Sequence, residues 1–139
     1  MNVLVTGGAG FIPSHIVDRL LKDGHKVTVL DLWESDESKV HNGNSNFEFI
    51  KGDVLNDDLI AQCMEGKDRV IHMAAVLGTA ETITTFDVEK VCTVNIVGTT
   101  KILKAAKKAG VGRVLIPTTP DVPWINPYKI TKAAVEKLC

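Results

Sequence analysis

The chain has 139 residues, 45% of them hydrophobic and 24% charged, with a formal net charge of -1. That length supports one domain, 1–139, with a two- or three-layer core, and excludes two. The balanced charge excludes the basic field that recruits nucleic acid or an anionic membrane, no apolar run is long enough for a membrane span, and Thr6 with three glycines interrupts the N-terminal apolar stretch, which argues against a signal peptide.

Apolar, β-branched runs alternate with helical patterns along the whole chain. Asn2–Val5 reads as a strand and Phe11–Asp23 as a helix, with Ile12, Ile16, Leu20 and Leu21 on one face and Gly24 ending it. Lys26–Leu30 is the second strand. Asp31–Asn46 is too polar for either pattern and is predicted as loop. Phe47–Ile50 is the third strand, and a helix follows over Asn56–Met64, capped by Asn56 or Asp57. Arg69–Met73 is the fourth strand. A long helix is predicted over Thr85–Ala109, closed by Gly110, and Arg113–Ile116 is the fifth strand. The loop Thr118–Asn126 leads to a last helix from Pro127, where proline suits the first turn. Strands that are almost continuously apolar and alternate with helices predict a doubly wound parallel α/β sheet of the Rossmann type, order 3-2-1-4-5.

The segment Val3–Pro13 runs from strand through a glycine turn into a helix, an arrangement that aims backbone N–H groups at an anion. Gly7 supplies unusual backbone conformations, and Gly10 lets a phosphate approach the main chain. Asp31 ends the second strand about 20 residues on, the spacing at which a carboxylate bonds the ribose of NAD and repels the 2′-phosphate of NADP. Near the other end, Tyr128 and Lys132 lie one helical turn apart. A lysine ammonium on the same face favours the phenolate, which can then serve as a base. Alone, that pair is common by chance as a half-buried tyrosine and a surface lysine.

Cys63, Cys92 and Cys139 show no C-x-x-C pattern, which predicts free thiols in a reducing cytoplasm. His15, His25, His41 and His72 lack ligand spacing, so they are expected on the surface or in packing, and no metal site is expected.

In order, Thr6-Gly-Gly-Ala-Gly-Phe-Ile-Pro13, Gly52-Asp53-Val54, His72-Met-Ala-Ala75, Asn95-Ile-Val-Gly-Thr99 and Tyr128-x-x-x-Lys132 resemble the extended short-chain dehydrogenase/reductases, above all their nucleotide-sugar epimerases and dehydratases. The match covers nearly all of this chain but only the N-terminal half of a typical member, leaving no residues for a substrate domain. The resemblance implies NAD as cofactor and a nucleotide sugar as substrate. It implies Gly7, Gly10, Phe11 and Ile12 on the pyrophosphate, Asp31 on the ribose, Asp53 and Val54 at the adenine edge, and Ala74, Ala75 and Val76 along the cleft. It implies Tyr128 as catalytic acid/base, and Lys132 on the nicotinamide ribose, lowering the tyrosine pKa. Thr119, with Thr118 beside it, falls at the catalytic serine or threonine position, and Asn95 at one that orders the site beside the cofactor.

Three departures stand out: Pro13 in place of the third glycine, an eight-residue loop between Thr119 and Tyr128 that Pro120, Pro123 and Pro127 stiffen, and the missing second half. With that half gone, the fifth strand is expected as an open sheet edge. On the long helix, Val88, Cys92, Asn95, Leu103 and Ala106 are expected to cover the sheet, with Val91, Val94, Ile102 and Ala109 pointing elsewhere. Together with Ile130, Ala133, Ala134 and Leu138 of the last helix, and as the resemblance implies, this predicts a homodimer through the 85–109 and 127–139 helices. Three functions fit: an NAD-dependent enzyme, a non-catalytic dinucleotide-binding module or half of a split enzyme, and a folded but inactive remnant.

Overall fold

The computed structural model describes residues 1–77, 87–119 and 126–139. In chain order they form β1 (Asn2–Thr6), α1 (Phe11–Lys22), β2 (Lys26–Asp31), α2 (Asp36–Lys39), β3 (Phe47–Lys51), α3 (Asp57–Met64), β4 (Arg69–His72), α4 (Val88–Cys92), a π turn (Thr93–Gly98), α5 (Thr99–Ala109), β5 (Arg113–Leu115) and α6 (Pro127–Leu138). The five strands make one sheet in the order β3-β2-β1-β4-β5. Every pairing is parallel, as the apolar strands required. The order reverses direction between β1 and β4, and the strand ends on either side of that point form a crevice.

Alternation along β1 divides the core between two faces. Val3 and Val5 join Val17, Val27 and Val29 beneath α1, with Leu20 and Leu21 packed on them. Leu4 points the other way, into Leu30, Ile60, Met64, Val70 and Ile102 beneath α3 and α5. β1 is thus buried on both sides, which is why it reads as an unbroken apolar run.

Three expectations need correction. The segment 31–46 is not loop throughout: Ser35 accepts a hydrogen bond from the Ser38 N–H, and Asp36 and Glu37 favour the first turn of the short α2. The long helix begins at Val88, where the Asp87 side chain accepts from the Lys90 N–H, while Thr85 and Phe86 lie outside the described residues. Its inward line also differs. Val91, Asn95, Thr99, Ile102 and Ala106 are buried, whereas Val88 is exposed and Cys92 and Leu103 are only half-buried. In an α-helix, residues four apart drift by about 40°. The wider π turn reduces that drift, so Asn95 and Thr99 fall on one line, and the bonds they make to Val76 and His72 fix which face turns inward.

Candidate functional site

The glycine turn is shaped by close approach. Gly7 has φ +68°, and a Cβ there would lie 2.6 Å from the Ala74 backbone nitrogen and 2.7 Å from its Cα. Only glycine lets the end of β1 lie against the residues that follow β4. The Gly7 N–H donates to Leu30 O (2.8 Å), and the Ser14 N–H to Gly10 O (2.9 Å), the first bond of α1. Pro13 is therefore in the third helical position, whose N–H has no partner within any helix, so its missing donor costs α1 nothing. The ring is buried and Gly10 remains open, with Pro13 Cγ 3.3 Å from where a Cβ would stand. Phe11, 78% exposed, and Ile12 line the outer lip.

Asp31 ends β2 beside this turn. One carboxylate oxygen accepts from the Ala9 N–H (3.0 Å) and the other from the Leu32 N–H (2.7 Å). The carboxylate thus clamps the turn to β2, and each oxygen keeps lone pairs for a further donor. At the end of β3, Asp53 accepts from the Leu55 N–H (3.0 Å). The Val54 side chain is buried in the core, which leaves its main chain to face a ligand. Ala74, Ala75 and Val76 are half-buried just beyond β4.

On the opposite lip, Asn126 caps α6 by accepting from the Lys129 N–H (2.8 Å), with Pro127 in the first turn. Tyr128 is half-buried, and Lys132, one turn on, is only 6% exposed. Burial pushes the Tyr128 phenol above its ordinary value and pulls the Lys132 ammonium below its own. Burial of the phenol thus acts against the depression expected from Lys132. Thr119 is half-buried beyond β5, and Thr118 is exposed. Pro120 and Pro123 lie outside the described residues.

The two lips are joined by a buried polar chain that sequence reasoning missed, Asn95 excepted. Thr6 Oγ1 lies 2.6 Å from His72 Nδ1, and His72 Nε2 lies 3.0 Å from Thr99 Oγ1. The Thr99 hydroxyl donates to Asn95 O (2.6 Å). The Asn95 amide donates to Val76 O (3.0 Å) and Thr131 Oγ1 (3.0 Å), and its oxygen accepts from the Val76 N–H (2.8 Å). The Thr131 hydroxyl donates to Tyr128 O (2.8 Å). Asn95 thus faces the β4 end and α6 and reaches the cleft through Val76. Thr6 and Thr99, hydroxyls inside apolar stretches, were the sequence signal for this chain. Among the described residues no side-chain cluster is placed to hold a metal, and no helix is long and apolar enough to cross a membrane.

β5 ends the sheet, and Leu115 is half exposed. A groove of about 760 Å³ lies beside it, lined in part by Leu103, Val114, Ile116, Val135 and Leu138.

Comparison with known proteins fits this geometry. The 3-beta hydroxysteroid dehydrogenase/isomerase family matches residues 4–137. UDP-glucose 4-epimerase of Mycolicibacterium smegmatis is 38% identical across 98% of the chain and 49% of its own length. UDP-N-acetyl-alpha-D-glucosaminuronate decarboxylase of Bacillus cytotoxicus is 38% identical across 86% of the chain and 36% of its own length. Among solved structures, UDP-glucose 4-epimerase of Thermotoga maritima with UDP-glucose superposes with a TM-score of 0.81 at 29% identity, covering 99% of this chain and 50% of that one. A dTDP-glucose 4,6-dehydratase of Streptomyces venezuelae with NAD bound gives 0.84 at 28% identity, with the same coverage. The chain spans half or less of the length of these relatives. A glycine turn, an aspartate at the end of β2 and a Tyr-x-x-x-Lys helix in one parallel fold place the chain in the 3-beta hydroxysteroid dehydrogenase/isomerase family of the extended short-chain dehydrogenase/reductases.

Proposed function

We propose that residues 1–139 form one NAD-binding domain, the cofactor half of a cytoplasmic nucleotide-sugar oxidoreductase of the epimerase/dehydratase kind. The observation that carries this reading is a shared anchorage: a turn that only Gly7 can make, clamped by Asp31, lies against Ala74 beyond β4, and Asn95 ties the Tyr128–Lys132 helix to Val76 of the same segment. The residues present fit NAD. Gly7, Gly10 and the free start of α1 at Phe11 and Ile12 suit a pyrophosphate. Asp31 receives the adenosine ribose and disfavours a 2′-phosphate. Asp53 and the Val54 main chain meet the adenine edge, and Ala74, Ala75 and Val76 line the cleft. The relatives' activities on UDP- and dTDP-sugars support the substrate class. The odd number and wide spread of Cys63, Cys92 and Cys139, without a C-x-x-C pattern, support a reducing compartment.

Bound NAD supplies the hydride acceptor. Tyr128 would serve as acid/base for a sugar hydroxyl, and bound NAD would accept and return the hydride from the same carbon. Burial holds the free phenol protonated at neutral pH, so the ionised form draws on Lys132 and on the positive nicotinamide ring together. Lys132 holds the nicotinamide ribose, Thr119 the substrate oxygen, and Asn95 orders both lips. The test is to load the chain with NAD, add UDP-glucose and follow absorbance at 340 nm. Reduction is expected, and is lost in Tyr128→Phe; equal reduction in that variant would overturn the assignment.

A second reading, a binding module or half of a split enzyme, is favoured by the β5 edge and the apolar groove beside it, which suit a partner chain. The domain also pairs with a second copy. Val88, Val97, Ile130 and Leu138 are exposed on α4, the π turn and α6, supporting a two-fold helix interface.

A further inference from the structure

The buried chain between the lips permits only one arrangement of its protons. Thr99 has a single hydroxyl proton, and it goes to Asn95 O. Thr99 Oγ1 therefore accepts from His72, whose Nε2 must carry the hydrogen. His72 Nδ1 is then a bare acceptor, and the Thr6 hydroxyl donates to it. Thr6 Oγ1 in turn faces the Ala74 N–H at 3.4 Å, on the wall that Gly7 touches. His72, Thr6 and Thr99 are each at most 3% exposed. Among the described residues no buried side-chain polar atom lacks a partner, so the chain has no slack to absorb a different tautomer.

We propose that His72, as a fixed neutral Nε2–H imidazole, is a positioning residue that couples the glycine turn to the Tyr128 helix. The inference rests on the reading that these two lips form one site. Through Thr6 the ring holds the end of β1, immediately before Gly7. Through Thr99 and Asn95 it sets the π turn, and Asn95 and Thr131 carry that position to the Tyr128 backbone. Burial, with the charge of Lys132 added to it, pulls His72 down to about 4. A neutral imidazole is what allows the Lys132 ammonium to stay beneath the cleft.

Two measurements decide it, and neither needs turnover. Long-range proton–nitrogen NMR of the whole chain, with His72→Gln for assignment, should show one ring in the Nε2–H form and unchanged between pH 8 and pH 5. An Nδ1–H form, or titration near 6.5 in all four rings, would overturn the proposal. Tyr128 is the only tyrosine, so absorbance at 295 nm reads its ionisation directly. In His72→Asn, which keeps a partner for Thr6 but not Thr99, the phenol midpoint should fall towards about 10. His72→Gln, which can still reach Thr99, should restore the wild-type midpoint. Equal midpoints in all three proteins would reduce His72 to core filling. Failure to bind NAD would refute the proposed function and leave both readings of His72 intact as tests.

Discussion

Gly7 and His72 exert opposite kinds of control over the same crevice, one by having no side chain and the other by having all its polar atoms engaged. Gly7→Ala must place a methyl against the Ala74 main chain at a φ of +68°. Such strain costs on the order of 1–3 kcal/mol, and urea unfolding should show a loss at least that large, with NAD affinity lost alongside. For His72 the sign follows from linkage. Its folded pKa lies below the unfolded value, so the unfolded chain binds more protons between about 4 and 6.5. Stability is full above that window and falls as pH drops through it, by roughly 3 kcal/mol for a shift of this size. Denaturant titrations at pH 7.5 and 4.5 should show most of that difference, and His72→Gln should remove it. The glycine turn and Asp31 were legible because their spacing is a motif. His72 was not: an isolated histidine at a strand end gives no sign of its partners until Thr6 and Thr99 are brought beside it.

The strands were readable because burial on both faces forces an unbroken apolar run, and the sheet order followed from the alternation of strands and helices. The face of the long helix was not readable. Two stripes of its sequence are apolar, and the choice between them is made by buried polar bonds rather than by hydrophobicity. Asn95→Ala should expose that choice, since it strands the Val76 N–H and carbonyl and removes the donor to Thr131 Oγ1, which keeps its own bond to Tyr128 O. Buried unsatisfied groups cost about 1–3 kcal/mol each, so a loss of about 3 kcal/mol is expected by urea unfolding. Thr100→Ala, five residues on and on the exposed side of the same helix, is the control and should stay within about 0.5 kcal/mol.

At the scale of the molecule, the β5 edge and the exposed apolar residues of α4 and α6 are, among the described residues, surfaces that a partner can cover. The alignment with the Mycolicibacterium epimerase runs to 158 positions, longer than the chain, so the relative carries insertions that this chain lacks. Compactness of that kind agrees with the short, proline-bearing loop before Tyr128. Sedimentation velocity at micromolar concentration should show a dimer, and Ile130→Glu should return it to monomer; a monomeric wild type would remove the interface. The central claim, that Gly7 and Asp31 build an NAD site, is tested most directly by calorimetric titration of the chain with NAD and NADP, repeated on Asp31→Ala and Asp31→Asn. The account predicts saturable NAD binding, weaker NADP binding, and a preference that narrows in both variants even though Asn retains an acceptor for the turn. No heat at millimolar NAD, or a preference unchanged by either substitution, would contradict it.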